Sequence, residues 1–190
     1  MKAILGCRRR VLSALLAGFV VIGLAGCASP TGITIDYAPS SIKTGQGSVH
    51  VGDFKYSAVD PKTSKPMPQD VIRNSAMGEI KLDRDVAKFV RDAVFTELRF
   101  VGVKVVPGDK QLTGDIQEFF VDDLGYSIDW TYRVKYTVED KATGKVLYTS
   151  VKNIQRKTNK FGNALGVLKE NIKLSVEELL EDPDFLKAIN

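Results

Sequence analysis

The chain is nearly empty of the side chains that most often carry chemistry. Its 190 residues include one histidine, His50, one tryptophan, and two cysteines, Cys7 and Cys27. With a single histidine, a metal site would have to rest on carboxylates, which suit Mg²⁺ or Ca²⁺ better than zinc. A Ser-His-Asp arrangement could be built only on His50, and no serine stands in a Gly-x-Ser-x-Gly elbow. Gly45-Gln46-Gly47 precedes a strand-like stretch, so it lacks the helix that a phosphate-cradling loop requires. Carboxylate pairs occur at Asp83/Asp85, Asp122/Asp123 and Glu177/Glu178. Helix capping, a turn and an exposed helix face account for them without acid–base work. His50, between Val49 and Val51, reads as a solvent-side strand residue. No catalytic, cofactor-binding or metal-ligating residue is expected.

What the chain does have begins at its N-terminus. Lys2 and Arg8-Arg9-Arg10 precede an uncharged run from Val11 to Gly26. Basic, then apolar, then small is the order of a secretory signal. The run is shorter than the roughly 20 residues a spanning helix needs, and no later stretch offers a second span. It closes on Leu24-Ala25-Gly26-Cys27, which resembles the lipobox of bacterial lipoproteins. That resemblance implies cleavage between Gly26 and Cys27, a diacylglyceryl group on the Cys27 thiol, and acylation of the new amine, with palmitate as a typical chain. Two or three chains meet the requirement for stable anchoring, which one chain alone does not. Ala28 and Ser29 follow, with no aspartate after the cysteine. By resemblance to proteobacterial sorting signals, this implies the outer membrane, on its periplasmic face.

Removing the leader changes the charge. The whole chain is +4, but residues 1–26 hold four basic residues and no acidic one, leaving 23 basic against 23 acidic. A nucleic-acid partner, which needs a basic face, is therefore not expected. The cluster Lys152, Arg156, Lys157 and Lys160 reads as a solvated face. Cys7 leaves with the leader and Cys27 is the acylation site, so the folded part has no thiol and must hold together by its core.

Three segments follow: residues 1–26 as signal peptide, 27–47 as lipidated N-terminus and flexible tether, and 48–190 as one domain. Val49 and Val51 alternate, then Phe54 and Tyr56 alternate in the opposite phase, which predicts a strand bulged at Gly52. Ser57 to Ile80, with Pro61, Pro66 and Pro68, reads as a long irregular loop. Val86, Phe89, Val90, Ala93, Val94 and Leu98 form one helical face, with Asp83 as the expected N-cap and Gly102 beyond the C-terminus. Val101, Val103 and Val105 alternate into a strand, so strand–helix–strand predicts a parallel crossover. Leu112–Val121 is a further strand. Trp130, Tyr132, Val134, Tyr136 and Val138 then line one face of another, which returns through Asp140–Gly144 into Lys145 to about Gln155. Helical spacing resumes from Phe161 to Leu180, and Asp182-Pro183 opens a short last helix. The expected fold is α+β: a mixed sheet with a βαβ crossover and antiparallel hairpin strands, covered on one face by two long helices. The Trp130/Tyr132/Tyr136 ladder is either core beneath those helices or a partly open aromatic groove.

With these elements in order, the chain resembles the YajG-like outer-membrane lipoproteins and, more remotely, the auxiliary lipoproteins of ABC-type transport systems. The likeness covers about Val49 to Asn190. It rests on the lipobox, the strand Val49–Tyr56 followed by a charged loop, Leu82-Asp83-Arg84-Asp85 opening a helix that ends near Gly102, Leu112–Val121, and the Phe185-Leu186-Lys187 tail. The segment Pro61–Pro68 departs from the family pattern. The resemblance implies place and fold, and carries over no binding residue. Three functions are set against each other: a non-catalytic adaptor that binds another envelope protein, a module for lipid, peptide or glycan, and an envelope hydrolase. The last needs a convergent acid–base pair.

Overall fold

The computed structural model describes residues 32–76, 78–160 and 162–190. The leader, Gly26, Cys27 and Phe161 lie outside these residues. In chain order the elements are β1 (Ser48–Val51), β2 (Lys55–Tyr56), β3 (Val71–Asn74), β4 (Glu79–Lys81), α1 (Val86–Phe100), β5 (Lys104–Val105), β6 (Lys110–Asp122), β7 (Ser127–Asp140), β8 (Lys145–Asn159), α2 (Ala164–Leu180) and α3 (Pro183–Ile189).

The fold is α+β, and β6 is its axis. Along one edge β6 pairs antiparallel with β7 over nearly its whole length, and β7 pairs antiparallel with β8. Along the other edge three short strands line up in succession, all parallel to β6: β1 at Gln111 and Leu112, β2 at Asp115 and Ile116, β3 at Phe120 and Val121. From Val51 to Lys55 the chain advances four residues while β6 advances three, from Leu112 to Asp115. That extra residue is the bulge expected at Gly52, and it lets Val49, Val51, Phe54 and Tyr56 all face inward. β1 also pairs parallel with β5, closing the predicted crossover around α1.

The even-numbered residues of β7 from Ile128 to Val138 are all buried, beneath helices that cover one face of the sheet. α1 contributes Val86, Phe89, Val90, Ala93, Val94 and Leu98, and α2 contributes Leu168, Ile172, Val176 and Leu179. Each fully buried side chain of this size stabilises the fold by roughly 1.5–3 kcal/mol. Gly114, opposite Tyr136 in β7, leaves room for the Phe54 ring, which meets Tyr136 edge-on at 6.1 Å; a Cβ at Gly114 would overlap that ring.

Four expectations are corrected. The stretch Ser57–Ile80 is not one irregular loop: β3 and the start of β4 lie in it, and Val59 bridges Pro66 around a turn tied by Asp60. Strands of three or four residues are too short to show a period, so the prolines dominated the reading. The N-cap of α1 is Asp85, because Asp83 is occupied by the Thr34 hydroxyl and the Arg84 guanidinium, which hold its carboxyl below the usual range. β8 runs to Asn159 rather than Gln155, since Arg156–Thr158 still pair with Trp130–Ile128. Finally, residues 32–47 are not a free tether, as described below.

The Asp182-Pro183 start of α3 is as read: the Asp182 side chain accepts from the Asp184 amide at 3.1 Å. Its other oxygen receives the Tyr148 hydroxyl at 2.6 Å and the Lys152 ammonium at 2.9 Å, tying α3 to β8. The Tyr148 bond first, then Lys152, lowers the Asp182 pKa from 3.8 to about 2. A depressed carboxyl contributes stability that is complete above its unfolded value and is lost as pH falls through the folded one. Acid melting between pH 3.8 and about 2 is therefore expected to be flatter in Asp182→Asn, which keeps a capping oxygen. Asp182→Ala should in addition lose about 1 kcal/mol at neutral pH. Thermal melts across that range check both.

Candidate functional site

Residues 32–47 form a strap along the two long helices. Ile33 bridges Leu82 in parallel, with its amide donating to the Lys81 carbonyl at 2.8 Å. Gly32 lies so close to the Leu82 carbonyl that a Cβ would overlap it. Ile35 is buried, and Tyr37 meets Phe89 of α1 edge-on at 6.4 Å. Further along, Ser41 Oγ donates to Glu177 of α2 at 2.8 Å, Lys43 pairs with Glu181, and the Gly45 amide donates to the Val101 carbonyl at 2.7 Å.

The centre of the strap is Glu97, a fully buried carboxylate on α1. It accepts from the Tyr37 hydroxyl at 2.6 Å, the Ser40 amide at 3.0 Å and the Ser41 amide at 3.3 Å. Burial, reinforced by the Glu97 carboxylate, pushes the Tyr37 hydroxyl far above its ordinary pKa. A buried charge is tolerated only where donors surround it, and here the donors are all supplied by the strap. Glu97 was not singled out in the sequence. The signal was present: it stands between Val94 and Leu98 on the apolar stripe of α1, where an unpaired carboxylate has no place.

A second buried polar seam lies under α2. The Tyr136 hydroxyl shares a 2.9 Å hydrogen bond with Ser175 Oγ, which also donates to the Ile172 carbonyl. Burial pushes Tyr136 up to about 12. The fully buried Asn171 amide has no hydrogen-bond partner among the described residues. Trp130, Tyr132 and Tyr136 are at most 2% exposed, so the aromatic ladder is core and the open aromatic groove is excluded.

Several hollows of ligand size lie on the surface, and one of them involves the proline-bearing segment. A groove of about 390 Å³ lies between the turn at residues 60–68 and β3, floored by Phe120. The Arg73 guanidinium sits 3.5 Å above the Phe120 ring and pairs with Glu118, which also binds Arg133. The proline-bearing turn therefore forms one wall of this groove.

The sequence-derived candidates are not brought together. His50 lies on β1 opposite Gln111, near the start of β6, and Asp122 ends the same strand about 36 Å away. Asp83 and Asp85 precede α1, Glu177 and Glu178 close α2, and Asp123 accepts the Ala76 amide at 2.8 Å. Each member of the basic cluster is engaged elsewhere: Lys152 pairs with Asp182, Arg156 with Glu170 and Lys157 with Asp129, while Lys160 donates to backbone carbonyls. Among the described residues no group of three or more His, Cys, Asp or Glu side chains could hold a metal, and no helix is long and apolar enough to cross a membrane.

No protein-family model matches the chain, and no curated protein matches it in sequence. Solved structures do. Protein XCC0632 from Xanthomonas campestris (DUF330) is similar with a TM-score of 0.60 at 12% identity, over 83% of this chain and 96% of that one. The PelC dodecamer from Paraburkholderia phytofirmans gives 0.43 at 13% identity, over 73% and 92%. Lipoprotein GNA1162 from Neisseria meningitidis gives 0.39 at 13%, over 70% and 99%. The likeness to the Xanthomonas protein is one of fold, and none of the three transfers a residue role.

Glu97→Ala strands the Tyr37 hydroxyl and two amides, and is expected to destabilise the protein by about 2–4 kcal/mol. In hydrogen exchange, the Ser40 and Ser41 amides should be protected in the parent protein and should lose that protection in the variant. Fast exchange in both would contradict the strap.

Proposed function

We propose that the chain is a lipid-anchored envelope protein, acylated on Cys27 and facing the periplasm from the outer membrane, which acts without catalysis as an adaptor or accessory to another envelope protein. The observation that carries the anchor is Leu24-Ala25-Gly26-Cys27 closing a basic-then-apolar leader. The strap supports it structurally. Four residues separate Cys27 from Gly32, where the folded body begins, so an acyl group on Cys27 would hold that body close to the bilayer surface. The YajG-like reading agrees with this placement, and the Xanthomonas fold likeness is compatible with it.

The second reading, a ligand-binding module such as an auxiliary subunit of an ABC-type transport system, is favoured by the groove beside Arg73 and Phe120. Its lining mixes proline and methionine with Lys62, Lys65, Arg73 and Glu79, which suits a polar ligand with an apolar part.

Palmitate labelling in cells tests the anchor. The parent protein should carry label and sediment with outer membranes, while Cys27→Ala should be unlabelled and should not be processed. Label retained in Cys27→Ala would overturn the assignment. In-cell crosslinking then separates the two readings: a specific envelope protein recovered at native abundance supports the adaptor, and its absence favours the ligand module.

A further inference from the structure

The turns of the two long hairpins, β6–β7 and β7–β8, differ sharply. Between β7 and β8 the turn is Lys141-Ala142-Thr143-Gly144, polar and tied by Asp140, which accepts the Ala142 and Thr143 amides. Between β6 and β7 it carries Leu124, 72% exposed, and Tyr126, completely exposed. This second turn is braced rather than loose. Lys160 Nζ donates to the Asp123 carbonyl at 2.8 Å and the Gly125 carbonyl at 3.2 Å, and the buried Asp123 carboxylate accepts the Ala76 amide. A rigid turn that presents a leucine and a tyrosine to solvent calls for an occupant.

The direction of the chain says what covers it. β6 runs towards this turn, β3 is parallel to β6, and β4 is antiparallel to β3. Ile33 is parallel to Leu82, which continues β4, so from Gly32 onwards the strap runs away from the turn. It reaches the opposite end of the sheet at Gly45 and enters β1, whose His50 faces Gln111. The chain therefore enters the folded body from the end that bears Leu124 and Tyr126. Leu82 bonds to Asp70, three residues before the Arg73–Phe120 pair, which sets Ile33 about 16 Å along the strand direction from Asp122. Five residues from Gly32 back to Cys27 span at most about 17 Å. An acylated Cys27 can therefore reach as far as the level of this turn, so one bilayer can meet both. Phe100 and Val106, the exposed apolar residues near β5, lie at the opposite end, beyond that reach.

We propose that the β6–β7 turn, through Leu124 and Tyr126, is a second contact with the same bilayer that holds the lipid of Cys27, and that the two contacts together fix the domain's orientation on the membrane. The proposal rests on the acylation reading above. Tyrosine is suited to the position, since its ring and hydroxyl favour the headgroup level of a bilayer. Two points of attachment leave rotation only about the line joining them, which narrows the orientations open to the domain.

The test uses the mature acylated protein on vesicles of phosphatidylethanolamine and phosphatidylglycerol, with Tyr126→Trp and, as reference at the other end of the sheet, Val146→Trp. Both positions are exposed, so both variants should keep the parent melting midpoint, and the buried Trp130 provides a constant background measured in the parent. On vesicles the Tyr126→Trp emission should shift to the blue and be roughly halved by brominated acyl chains, while Val146→Trp should do neither. Tyr126→Trp emission that stays water-like in protein that floats with the vesicles overturns the proposal, and so does equal quenching at both positions. Flotation and the mass of the N-terminal peptide read the anchor separately. An unmodified Cys27 in protein that fails to float brings down the acylation reading, and the membrane contact with it.

Discussion

A carboxylate with no water around it must be surrounded by donors, and at Glu97 every donor comes from one short segment. Tyr37, Ser40 and Ser41 approach it from outside the helices and complete the charge that α1 alone would leave bare. The arrangement is reciprocal: the segment has few apolar side chains of its own, and Glu97 gives its amides a destination. Lys43–Glu181 and Ser41–Glu177 extend the same attachment to α2. The strap also crosses from α1 to α2, so the two helices are tied to each other through it as well as through the sheet beneath. What read as an entropic leash is part of the folded body from Gly32 onwards.

The sheet supplies the second half of the geometry. β6 is long because β7 and β8 match it, and its other edge is filled by three short parallel strands instead of one. The bulge at Gly52 lets those pieces keep their apolar residues inward while the chain changes phase. A matching irregularity in β6 between Ile116 and Glu118 carries the inward face from Leu112 and Ile116 to Phe119 and Val121. The outcome is a sheet with two distinct ends, one where the strap and helices begin and one where they finish.

The sequence made some of this legible and hid the rest for identifiable reasons. Long periodic elements were readable: α1, α2, the β7 alternation and the Gly52 phase flip each contain enough repeats to declare a period. β3 and β4 were not, because three or four residues cannot. The strap was hidden because most of its attachments are hydrogen bonds and an ion pair to distant residues, with only Ile35 and Tyr37 packing into the body, so its Ser-, Thr- and Gly-rich composition read as linker. Glu97 itself was the missed clue, an acid standing where the helical pattern demands an apolar residue. The chemistry-bearing candidates were legible mainly as single residues. His50 and the carboxylate pairs needed the topology to show that they belong to different elements and opposite ends of the sheet. Cys27 remains the residue for which the lipobox resemblance implies a chemical fate.

The central claim is that the domain sits directly on its membrane instead of swinging above it. A flexible tether covering residues 28–47 would hold the domain off by about 25 Å on average. Neutron reflectometry of the acylated protein on a supported bilayer measures that gap directly. The account predicts protein density continuous with the lipid headgroups, with no intervening water layer; a solvent layer of about 25 Å between them would contradict it.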